Sequence, residues 1–127
     1  MERSGDPNAT PEFHRWLKTL SPEKANRVAA ALDALQTGGT TMGRPLVDRI
    51  KGSRLHNMKE LRTGSIRALF VFEQRKPLML VGGDKRGAWN DWYKHAVPEA
   101  ERLYNKYRAD NGKEGPGWRR DPPSRGR

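Results

Sequence analysis

The apolar residues change their spacing twice along the chain, and this change constrains the fold more than any other feature. From Phe13 to Leu35 they recur at three- and four-residue intervals, which is typical of one face of a helix. From Leu55 to Val81 they form short runs rich in β-branched and aromatic side chains, which favour strands. Helical spacing returns at Trp89. The order of these spacings along the chain predicts two helices, then a small sheet, then a C-terminal helix. This order is typical of an α+β domain.

The helical region contains two start signals. Thr10 and Ser21 are hydroxyl residues followed directly by proline, which is the pattern of an N-cap with proline in the first helical turn. The first apolar face ends at Leu20 and the second is ended by Gly38. The two segments therefore predict a helical hairpin joined at Ser21.

The next segments predict three strands. A loop over 40–54, with room for a short strand near residue 46, precedes them. The predicted strands are Leu55–Arg62, Ile66–Glu73 and Leu78–Val81, separated by turns at 63–65 and 74–77. Turns this short join antiparallel neighbours, so we expect a meander. After Trp89 the chain predicts helix again, and Pro98 starts or kinks the last helix, which reaches Tyr107.

Both ends of the chain are too polar to join the core. We expect a disordered arm at 1–9, a folded domain at 10–107 and a disordered basic tail at 108–127. The chain has no cysteine, which excludes a disulfide scaffold, a thiolate zinc site and a cysteine nucleophile. It has no apolar run near the roughly 18 residues of a membrane span and no secretory signal, so we expect a cytoplasmic protein.

The positive charge is concentrated in one segment. The chain carries a net charge of +10, which suggests an anionic partner. Residues 44–67 contribute +5 of it, whereas the tail at 108–127 contributes +3. A second basic point, Lys85 and Arg86, follows the apolar strand that ends at Gly82. Charge alone does not separate a binding surface from a solvated face.

Three sequence blocks carry a family resemblance. RPLVDRIKGSRLHNMKELR (44–62), SIRALFVFE (65–73) and LMLVGGDKRGAWNDWYKHAVPEAERLY (78–104) resemble the RelE/ParE superfamily of toxins, and most of all its HigB-like branch. The resemblance covers about 11–107, and KGSRLHNMKELR is its most specific part. It implies a RelE-like fold, in which an N-terminal helical hairpin packs on a small twisted antiparallel sheet with a C-terminal helix.

The resemblance also implies an activity and partners. It implies the toxin of a type II toxin–antitoxin module, a ribosome-dependent endoribonuclease that cleaves mRNA and inhibits translation without a metal or other cofactor. The implied partners are mRNA on the ribosome and a cognate antitoxin, often a helix-turn-helix protein, with operator DNA contacted only through the antitoxin. The chain departs from the pattern at one point, because its polar N-terminus lacks the apolar strand that members usually place before the first helix.

Cleavage of RNA without a metal sets three chemical tasks. The 2′-hydroxyl must lose its proton, the charge on the phosphate must be stabilised, and the leaving 5′-oxygen must be protonated. With the family's motif as guide, the catalytic candidates are Lys59, Arg67, Lys85, Tyr93 and His95. The RNA-binding candidates are Lys51, Arg54, His56, Asn57, Arg62, Arg86 and Trp89.

Each candidate has a plain structural alternative. Strand alternation separates Lys59 from Arg62, so Lys59 is equally well an exposed strand lysine. Arg67 is the only cation of its strand and has the alternative of an ion pair with Glu60 or Glu73. Trp89 and Tyr93 have helical spacing and fit core packing as well as base stacking.

Two other functions stay open at the sequence level. One is a ParE-like toxin of the same fold, which binds a topoisomerase and has no nuclease activity. The other is a non-catalytic nucleic-acid-binding module. The convergent cations favour the nuclease. The three histidines are scattered without metal-ligand spacing, so we expect no metal site.

Overall fold

The computed structural model describes residues 8–55, 57–84 and 89–110. Eight helices and strands follow one another in these residues: β1 (Asn8–Ala9), α1 (Pro11–Leu17), α2 (Pro22–Gly38), β2 (Val47–Arg49), β3 (Lys59–Thr63), β4 (Ile66–Glu73), β5 (Lys76–Asp84) and α3 (Trp89–Asp110). A single 3-10 turn follows α2 at Gly39–Thr41. The predicted α+β class is confirmed, while the short strands β1 and β2 add to the predicted order of elements.

The described strands form one sheet in the order β1-β5-β4-β3-β2. The four strands from β2 to β5 are antiparallel, and β1 pairs parallel with β5. Side chains alternate between the two faces of a strand, so the sheet has two cores. Phe13 and Leu35 of the helical hairpin pack with Phe70 on one face. Ala96 and Ala100 of α3 pack with Leu69 on the other.

The predicted helix starts are confirmed by their capping bonds. The backbone N–H of Phe13 donates to the Thr10 hydroxyl oxygen at 3.0 Å, and that of Lys24 donates to Ser21 at 3.3 Å. The buried Thr10 hydroxyl in turn donates to the Leu80 carbonyl at 2.8 Å. Thr10 thus caps α1 and fastens it to the neighbouring strand of the sheet.

The N-terminal edge of the sheet differs from expectation. We predicted no strand before the first helix and placed residues 8 and 9 in a disordered arm, but Asn8–Ala9 forms β1. The Thr10 N–H also donates to the Met79 carbonyl at 3.0 Å and continues this backbone contact. The pairing uses backbone groups alone and needs no apolar alternation, so the sequence pattern does not indicate it. Residues 1–7 and 111–127 lie outside the described residues.

The first strand of the predicted meander also starts later than expected. Leu55–Arg62 was predicted, whereas β3 begins at Lys59. The backbone N–H of Arg54 donates to Glu101 and that of Leu55 donates to the Ser53 hydroxyl, so neither is available to the sheet. Two further differences are smaller: β5 extends over Lys76–Asp84, and α3 runs continuously through Pro98.

Candidate active site

A cluster of charged residues lies on the sheet face that α3 covers. Glu60 pairs with Leu69, whose side chain belongs to the α3 core, and Arg62 stands directly opposite Arg67. Because residues two apart in a strand share a face, Glu60, Arg62 and Arg67 project on the same side. Asp48 of β2 joins them, since it pairs with Glu60.

Tyr93 of α3 meets this cluster from the helix side. Its hydroxyl donates to Glu60 Oε1 at 2.5 Å, and Glu60 is only 6% exposed. Burial raises the pKa of Tyr93 to about 12, and the hydrogen bond and charge of Glu60 act in the same direction, while Arg67 lowers it. The phenol is therefore protonated near neutral pH and can serve as a proton donor. We call Asp48, Glu60, Arg62, Arg67 and Tyr93 the Tyr93 cluster.

The two arginines of the Tyr93 cluster are held differently. Arg62 lies 3.5 Å from Asp48 Oδ2 and 3.8 Å from Glu60 Oε2. Arg67 donates from Nη1 to the carbonyl oxygens of Gly64 and Ile66, both at 2.9 Å. Two guanidinium groups on opposed strand positions offer the planar, forked donors that match a phosphate.

A glycine pair in β5 lets aromatic rings approach both faces of the sheet. A Cβ built on Gly83 would overlap the Trp92 indole, and one on Gly82 would overlap the Trp16 indole. Trp92 in turn lies edge-on to Tyr93, with ring centroids 5.0 Å apart. The absence of a side chain at Gly83 therefore determines how closely α3 approaches β5. It also determines how far the Tyr93 side chain reaches towards the sheet.

Lys59 does not belong to the Tyr93 cluster. It pairs with Phe70, which lies in the core under the helical hairpin, so its side chain projects from the opposite face. The catalytic candidate Lys59 is therefore separated by the sheet from Arg62 and Arg67. Lys59 instead stands directly opposite Arg49 on the β2 side of the sheet.

Several cations near β2 and β3 form no salt bridge to another residue within the described ranges. They are Arg49, Lys51, Arg54 and Lys59, of which the first three are exposed. Asn57 is exposed in the same region. The positive charge of residues 44–67 therefore falls into two groups. Arg44 and Arg62 are paired with Asp48. The cations of the connection between β2 and β3 remain available for an external anion.

His95 is exposed on α3, and its Nδ1 lies 3.0 Å from the Asp91 carbonyl oxygen of the preceding turn. Among the described residues, no hydrogen bond or salt bridge joins His95 to the Tyr93 cluster. The predictions at His56, Lys85 and Arg86 lie outside the described residues, as does the side chain of Trp89.

Glu60 is the residue whose importance the sequence reasoning missed. A glutamate inside a strand reads first as a solvated residue, because charged side chains are almost never fully buried unless they are paired. Strand alternation does place Glu60 on the same side as Arg62, and that shared face was the available signal. Alternation within one strand gives no information about the Tyr93 hydroxyl, which lies on a helix 33 positions further along the chain.

A second tyrosine–glutamate contact fastens the far end of α3. The Tyr104 hydroxyl donates to Glu73 at the end of β4, and Arg108 donates to the Tyr104 oxygen at 2.8 Å. Arg108 also lies 3.7 Å from Glu73. Burial raises the pKa of Tyr104, as it does that of Tyr93. This contact repeats the tyrosine–glutamate pairing away from the opposed arginines.

The arrangement of the sheet is that of the RelE-type toxins. A solved RelB–RelE antitoxin–toxin complex from Methanococcus jannaschii matches with a TM-score of 0.54 and 15% identity, covering 69% of this chain and 96% of that one. The RelBE2 toxin–antitoxin complex of Mycobacterium tuberculosis matches with a TM-score of 0.51 and 16% identity, covering 61% of this chain and 94% of that one. At such identities the likeness concerns the fold.

Sequence comparison identifies the family. Residues 15–105 match the family described as phage derived protein Gp49-like. A Mycobacterium tuberculosis protein named as toxin HigB3 is 43% identical over 102 residues, which cover 78% of this chain and 90% of that protein. A second protein of that organism, named as toxin HigB2, is 40% identical over 100 residues, 74% of this chain, and this match spans 50% of the longer protein. The chain belongs to the Gp49-like family, in the HigB-like branch of the RelE/ParE superfamily.

Two negative observations apply to the described ranges alone. No helix within 8–55, 57–84 and 89–110 has the length and apolar character needed to cross a membrane. The same ranges bring together no group of three or more histidine and carboxylate side chains that could hold a metal ion.

Proposed function

We propose that this protein is the toxin of a type II toxin–antitoxin module and that it cleaves mRNA on the ribosome. The observation that carries the proposal is the Tyr93 cluster. It joins a protonated phenol, a buried carboxylate and two opposed guanidinium groups on one face of the sheet. The relatives named as HigB toxins support the toxin class.

In the proposed reaction, the Glu60 carboxylate accepts the proton of the RNA 2′-hydroxyl. The 2′-oxygen attacks the adjacent phosphorus while the bond from phosphorus to the 5′-oxygen breaks, which yields a 2′,3′-cyclic phosphate. Tyr93 gives its proton to the departing 5′-oxygen. Arg62 and Arg67 stabilise the charge on the phosphate oxygens. The Tyr93–Glu60 hydrogen bond then provides a direct route for the proton from Glu60 back to the phenolate.

The proposal assigns roles to other candidates from the sequence as well. Lys85 is retained as a phosphate ligand, because its chain neighbour Asp84 pairs with Ile66, next to Arg67. His95 is less favoured than Tyr93 as the proton donor, because its ring contacts its own helix. Lys51 and Arg54 are assigned to contacts with RNA phosphates outside the Tyr93 cluster.

The proposed partner is a cognate antitoxin. The solved neighbours are complexes of a toxin with its antitoxin, which supports such a partner for this chain. The sequence resemblance further implies a helix-turn-helix protein that alone contacts operator DNA.

Mapping of mRNA 5′ ends in a bacterium that expresses the protein tests the proposal. We expect codon-phased cuts that disappear when translation is blocked, and we expect Arg67→Ala to remove them. Arg27→Ala is a matched control, because Arg27 pairs with Glu23 on the exposed surface of α2. Intact mRNA together with DNA damage would favour a ParE-like topoisomerase poison instead.

A further inference from the structure

One carboxylate of α3 holds the connection between β2 and β3. Glu101 Oε2 accepts hydrogen bonds from the Ser53 hydroxyl at 2.8 Å and from the backbone N–H of Arg54 at 2.6 Å. The Ser53 oxygen then accepts from the N–H of Leu55 at 3.0 Å. A single acidic side chain thus fixes three consecutive residues of a segment nearly 50 positions away in the chain.

Other contacts hold the two ends of this connection: Ile50 and Leu55 pack against the core that α3 covers, and the Met58 N–H donates to the Leu55 carbonyl at 3.3 Å. A backbone hydrogen bond from the Ile50 N–H to the Met58 carbonyl, at 3.0 Å, joins the two ends of the connection between β2 and β3. Gly52 adopts a φ of +84°, a backbone conformation that side chains rarely allow. A groove of about 530 Å³ separates part of the segment from α3, and Glu101 is among the residues that line it. Without Glu101, Ser53 and Arg54 would lose the hydrogen bonds that join them to α3.

The attached segment also carries the available cations Lys51 and Arg54. An acid placed beside such cations weakens the attraction of a polyanion, so a purely electrostatic role for Glu101 would oppose RNA binding. Its bonds to Ser53 and to the Arg54 backbone have the opposite effect, because they hold the cations in one arrangement before RNA arrives and reduce the ordering that binding requires.

We infer that Glu101 is a positioning residue for RNA, which holds residues 51–55 so that Lys51 and Arg54 contact phosphates of the mRNA. The inference rests on the proposed function. It assigns no catalytic step to Glu101. A contact made equally in the ground state and the transition state changes KM and leaves kcat unchanged.

Cleavage of mRNA on programmed bacterial ribosomes tests this role with the full chain. For Glu101→Ala we expect KM to rise about tenfold with kcat nearly unchanged, because the loop must be ordered on binding. Glu101→Gln keeps an acceptor oxygen and should restore KM to within about threefold of wild type. Glu99→Ala is the matched control, since Glu99 is an acid of the same helix that pairs with Arg102. It should bind as well as wild type or better.

The outcomes separate this inference from the proposed function. If Glu101→Ala cleaves with an unchanged or lower KM, or if the Arg54 amide keeps its hydrogen-exchange protection in that variant, the inference is overturned. If the wild type itself cleaves no mRNA on ribosomes, the proposed function fails and the RNA role of Glu101 fails with it. Should Glu101→Ala not fold, Ser53→Ala removes the Ser53 bonds to Glu101 and to the Leu55 N–H and leaves the Arg54 bond. It should raise KM by about threefold, and an unchanged KM contradicts the inference.

Discussion

The hydroxyl of Tyr93 in α3 donates to the buried carboxylate of Glu60 in β3 at 2.5 Å. This contact joins the last helix to a strand near the edge of the sheet. It also explains how an acid can be buried at that position, because Tyr93 and Arg62 both lie against its carboxylate. Structure and proposed chemistry therefore depend on the same pair of residues.

Tyr93→Phe should reduce both stability and cleavage. The variant leaves Glu60 buried with one partner fewer, which costs about 1–3 kcal/mol. It also removes the proposed proton donor, so single-turnover cleavage on programmed ribosomes should slow by roughly 10²- to 10⁴-fold. Urea unfolding and cleavage rates measure the two effects. Cleavage at the wild-type rate would show that Tyr93 is not the acid.

Tyr104→Phe is the matched control for that variant. Tyr104 makes the corresponding bond to Glu73, at the other end of α3. We expect a similar loss of about 1–3 kcal/mol in the free energy of unfolding and little change in the cleavage rate. A drop in cleavage as large as that of Tyr93→Phe would mean that both tyrosines act only by holding α3 in place.

Alkaline pH should remove the stability that Tyr93 contributes. Its pKa is about 12 in the folded protein, above the ordinary value of 10.0, so the unfolded chain loses this proton first. The contribution is complete below pH 10 and disappears as the pH rises to 12. The difference in unfolding free energy between wild type and Tyr93→Phe should shrink over this range. A difference that stays constant would contradict the link between burial and titration.

The fold was largely predictable because its signals are local. Thr10 and Ser21 cap helices through side-chain oxygens that act within three residues, so the sequence itself contains the whole interaction. The start of β3 was not predictable in this way. Next to the predicted strand start at Leu55, the Arg54 N–H is bound by Glu101, which lies 47 positions away in the chain.

The sequence analysis named some members of the Tyr93 cluster as candidates and left others out. Family resemblance led to Arg67 and Tyr93, and strand alternation correctly separated Lys59 from Arg62. The catalytic prediction nevertheless retained Lys59, because the sequence does not reveal which face α3 covers. Glu60 was missed since a buried acid becomes recognisable only when its partners are known.

Salt dependence should separate the available cations from the paired ones. Lys51→Ala and Arg54→Ala should each weaken RNA binding and reduce the slope of log K against log salt by about one. Arg44→Ala, which removes a cation paired with Asp48, should change the slope less. Fluorescence anisotropy with a 2′-O-methyl RNA, which lacks the nucleophile, measures binding without cleavage. Equal slopes for all three variants would remove the β2–β3 connection from the proposed RNA surface.

Gly83→Ala should disturb the domain through Trp92. The added Cβ would overlap the indole, so α3 must shift away from β5, at a cost of about 1–3 kcal/mol. The shift moves Tyr93 as well, so the cleavage rate should fall with the stability.

Gly43→Ala is the control, because its Cβ meets nothing within 4 Å and its φ is not positive. It should leave the free energy of unfolding unchanged or raise it by up to about 1 kcal/mol. Equal urea midpoints for the two variants would mean that α3 does not depend on the close approach at Gly83.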